Sequence, residues 1–464
     1  MTGGTVANRL ARWVVGLRYE DVSPEALFHA KRCMLDTLGV QIRGATLPWI
    51  QPVYRYVRLL GGNGEAAVTY HGDRLSAPYA AYANSTFSYS CELQHHGSFG
   101  SAHPGVVVIP AIQALGEKLD STGRELIAAM VAGYEVQGRL GQALFESAFK
   151  RHFHPQGLLG VFSAAAAAGK LLGLDEEQQA HAFAIAGSHA SSILEYDQAG
   201  GEVKRIHGAI AVRSGIQSAF LAKEGLTGPL SVFEGHRGIF ASFGGGEADH
   251  EQVFSGIGNP YCITLSRYRI YPTIGSCHTT LDIVNDLLAE HPFNYRDLER
   301  IEVGMPKFSV LHVTTVTRPH DVISAQASLG FSLGVRLVKG DNDLERYIDP
   351  ALWRDPEVLD VADKLHAYPL AMASYPHMTR VEIKLKGGRV LAGEQKDVRG
   401  SETMPFSDDV MEAKFRRLAG AMLPADQVKH VMHIVARLDE LPSISQLVPS
   451  LRHLEATTPS VKPQ

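Results

Sequence analysis

The run GVFSAAAAAGKLLGL at residues 160–174 constrains the fold more than any other stretch, because five consecutive alanines between Gly160 and Gly169 leave little side chain around a helix. Such a helix suits a buried bundle in which its neighbours approach closely. The flanking segments carry helix-start signals. Thr122 with Glu125 and Asp175 with Gln178 have the spacing of a capping box, and Ser23-Pro24 places a cap before proline at the first helical position. From residue 7 to about 240 the chain reads as helical.

Beyond residue 265 the pattern changes to alternation. LERIEVGMP alternates at Ile301, Val303 and Met305, and TRVEIKLKGGRVLAG at Val381, Ile383 and Leu385, with Gly387-Gly388 as a two-residue hairpin turn before Val390. Amphipathic helices return after residue 406, one capped by Ser407 and one opened by Pro424. The expected fold is mainly α: a large all-helical domain, 1–265 plus 401–455, a smaller α+β insert at 266–400, and a flexible tail at 456–464.

A chain of 464 residues with 45% hydrophobic and 20% charged residues exceeds one ordinary core, which also argues for two domains. A net charge of -5 leaves no basic patch for nucleic acid. MTGGTVANRLARW lacks the apolar core of a signal peptide and no run is long enough to span a bilayer, so a cytoplasmic protein without a membrane partner is expected. Cys33, Cys91, Cys262 and Cys277 lie far apart and form no CxxC, which indicates neither a disulfide framework nor a zinc ribbon.

Chemistry concentrates in four stretches. CELQHHGSFGSAHPG, from 91 to 105, packs Glu92, His95, His96 and His103 into a loop rich in Gly and Ser, with His103 before the Pro104 of an expected helix start. KRHFHPQG holds His152 and His154, GGEVKRIHGA holds Lys204, Arg205 and His207, and RYRIYPTIGSCHTT holds Arg269 and His278. Fixed cations beside imidazoles that titrate near neutrality suit an anionic substrate. Each group also has a plain structural reading: a surface loop, a satisfied core histidine, or a solvated pair of cations. A metal site drawing on His95, His96, His103, His152 and His154 is the chemical rival, but no carboxylate stands at a recognisable ligand spacing and HExxH is absent. GxSxG, a P-loop and a placed GxGxxG are absent too.

Taken in order, HPG with VVVIPAIQALGE, TGRELIAAMVAGYEVQGRLG, FHPQGLLGVFSAAAAAGKLLGLDEEQ, KRIHGAIAVRSG and RIYPTIGSCHT resemble the MmgE/PrpD family, which includes 2-methylcitrate dehydratase and cis-aconitate decarboxylase. The resemblance spans nearly the whole chain. It implies a helical domain, an inserted lid domain, a homodimer, and catalysis without a metal, an iron-sulfur cluster or another cofactor. The family's histidine before Pro-Gly falls on His103, its FHP histidine on His154, its KxxH pair on Lys204 and His207, and its later histidine on His278; Arg269 stands where lysine is common. One departure lies upstream, where Glu92-Leu93-Gln94-His95 replaces a motif with paired aspartates. A second is Phe331, which aligns with a tyrosine of the decarboxylase.

The resemblance implies a lyase acting on a small di- or tricarboxylate, by dehydration first and decarboxylation second. His103 and His154 are expected to move protons, with Glu92 or His95 as the further acid, while Lys204, His207, Arg269, His278 and His96 bind carboxylates. Epimerisation of a dicarboxylate is the enzymatic alternative. A non-catalytic helical binding protein is the alternative of another class.

Overall fold

The five alanines lie inside the helix Pro155–Leu172, and residues 154–169 are all buried. The helix Lys204–Lys223 packs along it, with Gly105–Leu119 and Gly123–Lys150 on other sides. Small residues set this spacing. A Cβ added to Gly215 would stand 2.4 Å from the Ala164 Cβ and 2.6 Å from the Val161 carbonyl oxygen, so only hydrogen fits there.

The structure is a computed structural model that describes residues 4–97, 100, 102–246, 248–370 and 378–453. Its contacts divide the chain into two units. The first comprises Met1–Ser90, Gln94–Ser266 and Asp408–Gln464, and its described elements are almost entirely helical. Here the capping signals do what their spacing predicts: Ser23 caps Pro24–Gly44, and reciprocal boxes close at Thr122/Glu125 and Asp175/Gln178. Among the described residues no helix is long and apolar enough to cross a membrane.

The second unit comprises Cys91–Leu93 and Arg267–Ser407. Four strands, β1 (Leu298–Met305), β2 (Leu365–Pro369), β3 (Thr379–Leu385) and β4 (Val390–Gln395), form one sheet in the order β2-β1-β3-β4. β1 runs parallel to β2 and antiparallel to β3, with Val303 opposite both Ala367 and Val381. The alternating residues Ile301, Val303, Val381 and Ile383 are buried with Leu281, Val284 and Leu333 from the helices His278–Glu290 and Leu329–Lys339. Phe331 is wholly buried against Tyr347 in a neighbouring cluster.

The hairpin joining β3 to β4 differs from the two-residue turn expected. Leu385 pairs with Arg389 and the Gly388 N–H donates to the Leu385 carbonyl, so the loop is Lys386-Gly387-Gly388. Gly387 and Gly388 have φ of 83° and 84°. The turn closed by Leu385 and Gly388 puts Lys386 and Gly387 at its centre, and its third position, Gly387, has the positive φ that favours glycine there.

Gly→Ala inside a helix ordinarily stabilises by roughly 0.5–1 kcal/mol. At Gly215 the sign should invert, because the new methyl overlaps the neighbouring backbone. Gly215→Ala is expected to lower stability by about 1–3 kcal/mol, the usual range for overpacking, and thermal melts against the unchanged protein check it.

Candidate active site

Three helices of the first unit begin at one place. His103 precedes the helix Gly105–Leu119, His154 is the N-cap of Pro155–Leu172, and Lys204 and His207 lie on the first two turns of Lys204–Lys223. Pro104 and Pro155 supply the restricted φ that suits these starts. His154 and His207 are joined Nδ1 to Nδ1 at 2.7 Å, and the Tyr89 hydroxyl lies 3.5 Å from His154 Nε2. The Tyr89 ring stands 5.2 Å from His103, and Tyr196 packs edge-on at 5.3 Å from His154 and 5.5 Å from His207. The Lys204 ammonium sits 5.8 Å from the Tyr89 ring and 5.9 Å from the Tyr196 ring. Thus His103, His154, Lys204 and His207 come together within one unit.

The electrostatics distinguish these groups. Burial, and then the neighbouring Lys204 charge, push His207 down to about 4, so it is neutral near pH 7 and the two joined imidazoles share a proton across their Nδ1 atoms. In His103 the Nδ1 lies 3.0 Å from the His95 carbonyl, which can only accept, so Nδ1 carries a proton, and in the neutral ring Nε2 is the nitrogen with the lone pair. The main-chain N–H of His103 donates to Gln156 Oε1 at 2.7 Å. Three helix starts concentrate positive dipole ends and orphan N–H groups, a setting that favours anions. A cavity of about 370 Å³ adjoins the cluster, bounded by Ser192, Tyr196, Val203 and His207 among others.

The remaining expected residues lie in other surroundings. His96 is half-buried, with its ring 6.1 Å from that of His103. His95 is wholly buried and held between Asp36 and Tyr134. Glu92, Arg269 and His278 belong to the second unit: Glu92 receives Arg269 Nη1 at 3.1 Å, and His278 Nε2 lies 3.2 Å from the Thr273 carbonyl. Arg205, which adjoins Lys204 in sequence, turns instead to Glu202, the Ser90 carbonyl and the Trp49 ring. Among the described residues no group of three His, Cys, Asp or Glu side chains is placed to hold a metal ion.

Tyr89, Tyr196 and Gln156 have no place in the expectation from sequence. Gln156 had a signal, since it follows His154 directly in FHPQG. The tyrosines had none, because their distance from the histidines in the chain bears no relation to their distance in space.

The MmgE/PrpD N-terminal domain matches residues 8–252, and the MmgE/PrpD C-terminal domain matches residues 271–440. The chain belongs to the MmgE/PrpD family. It is 28% identical to human cis-aconitate decarboxylase over 97% of this chain and 95% of the relative. Identity to an Aspergillus terreus cis-aconitate decarboxylase is 27%, over 96% and 95%, and to the mouse decarboxylase 26%, over 97% and 93%.

The depressed His207 predicts acid sensitivity. Its ordinary pKa is near 6.5, so as pH falls from 6.5 towards 4 the unfolded chain binds the proton first and the folded state loses up to about 3 kcal/mol. His29, which burial also holds at about 4, adds a similar slope. Melting temperature should therefore fall between pH 6.5 and 4, and His207→Asn should flatten that fall without abolishing it.

Proposed function

We propose that the protein is a lyase of a small tricarboxylate, with His103 as its proton carrier and Lys204 beside the substrate's carboxylates. The observation that carries this is the meeting of three helix starts around His103, His154, His207 and Lys204. Negative charge that develops on carbon and carboxylate oxygen is stabilised by preorganised cations and N–H dipoles. Its similarity to cis-aconitate decarboxylases favours cis-aconitate and decarboxylation over the dehydration that the resemblance put first.

In decarboxylation the C–C bond to the departing CO2 breaks, and its electron pair delocalises through the adjacent double bond onto a remaining carboxylate. One proton must then reach carbon. In dehydration the same imidazole takes a proton beside a carboxylate while hydroxide leaves with a proton from an acid. His103 suits either direction, because its Nδ1–H is committed to the His95 carbonyl and exchange occurs at Nε2. His154, joined to His207 and facing Tyr89, is a second proton carrier. On the resemblance Arg269, His278 and His96 are carboxylate-binding residues and the further acid is Glu92 or His95; of the two Glu92 is preferred, because both ring nitrogens of the wholly buried His95 are committed to Asp36 and Tyr134. The resemblance further implies a lid domain and a homodimer.

A panel of cis-aconitate, citrate, 2-methylcitrate and related dicarboxylates, read by product mass, tests the reading. Loss of CO2 from cis-aconitate is the expected result, with kcat/KM reduced about 10²-fold or more in Lys204→Met, as for other preorganised charge contacts. Exchange of a carbon-bound proton with no loss of CO2 or water from any compound contradicts lyase chemistry and identifies an epimerase. Inertness towards the whole panel contradicts the reading as well.

A further inference from the structure

Behind His103 lies a buried polar chain in which Asp36, midway along Pro24–Gly44, holds residue 95 at two points. Its Oδ2 accepts from the His95 main-chain N–H at 3.2 Å and from His95 Nδ1 at 2.8 Å. Its Oδ1 receives Lys414 Nζ at 2.5 Å, from the helix Asp408–Gly420. The far ring nitrogen of His95 meets the Tyr134 hydroxyl at 2.8 Å. His95, Asp36 and Tyr134 are each 3% exposed or less.

The glycine of HPG completes the arrangement. A Cβ at Gly105 would stand 2.4 Å from His95 Cε1 and 2.6 Å from its Nε2, so the absent side chain is the space in which the His95 ring rests. The carbonyl of this clamped residue is the one that receives His103 Nδ1–H.

We propose that Asp36, His95 and Gly105 form a positioning device for His103: they hold the His95 carbonyl where it keeps the His103 proton on Nδ1 and aims a bare Nε2 at the substrate. The inference rests on the reading of His103 as the proton carrier. His95 acts through its main chain, so it is a positioning residue. Its ring is suited to being clamped. Burial disfavours its charge, but Cys33 and the Asp36 contacts outweigh that and push it up to about 9, so both ring nitrogens donate at neutral pH, one to Asp36 and one to the Tyr134 oxygen. A purely stabilising ion pair between Asp36 and Lys414 would not need the additional bond to the His95 main chain.

The test reads the His103 tautomer directly, and no substrate is needed. Protein labelled with 15N-histidine is examined by long-range 1H–15N spectra, with the His103 signals assigned by their loss in His103→Gln. The unchanged protein should show protonated Nδ1 and bare Nε2. Asp36→Ala/Lys414→Met removes the buried carboxylate and its ammonium partner together and should let the Nε2-protonated form appear. On whichever panel compound turns over, kcat should fall about 10–100-fold, as is usual when a supporting contact is lost, with KM changed less than about threefold. Should that double variant fail to fold, Gly105→Ala displaces the His95 ring from the opposite side and should shift the tautomer in the same direction. A wild-type tautomer in the folded variant overturns the proposal. A shifted tautomer in a protein inert to the whole panel upholds the positioning device and removes the lyase reading alone.

Discussion

The hydrogen bond between His154 and His207 ties together the starts of two helices that pack backbone to backbone, and the site depends on that bond. Two imidazoles can meet at 2.7 Å only if one proton lies between them, and burial beside Lys204 supplies the condition by keeping His207 neutral. The alanine and glycine content of both helices brings their axes close enough for the bond to form. A larger residue at Gly215 would push apart the helices that carry its two ends. Packing in the bundle and proton chemistry at its end are consequences of the same small side chains.

Charge is distributed unevenly around this point. Lys204 lies over aromatic faces, whereas the cations of Arg205 and Lys414 are committed to Glu202 and Asp36. The buried carboxylate of Asp36 would be strongly unfavourable alone; Lys414 and His95 offset its desolvation and hold its pKa below the ordinary carboxylate value despite burial. On the proposed reading, substrate anions meet helix N-termini and Lys204 beside the joined His154–His207 pair.

Much of this was legible in the sequence where it depended on local rules. Capping boxes, alternation in β1 and β3, and proline before helical runs each obey spacing physics, and each appears in the structure. His103, His154, Lys204 and His207 stood out because each departs from an apolar helical pattern beside Gly or Pro. Asp36 left a fainter trace, an acid inside CMLDTLGV, where a helix otherwise shows an apolar stripe. Tyr89, Tyr196, Tyr134 and Lys414 were not legible, since their partners are brought to them by tertiary packing over separations as long as 378 residues between Asp36 and Lys414. The loop of the β3–β4 hairpin depended on a backbone choice that two glycines leave open.

The central claim is that His103 exchanges a proton with substrate carbon. Turnover of cis-aconitate in D2O, followed by mass spectrometry and NMR of the product, tests it most directly. The account predicts CO2 release with one deuterium fixed on product carbon, and a folded His103→Gln protein in which product formation falls by about 10² or more. Undiminished deuterium incorporation and CO2 release in that variant would contradict it.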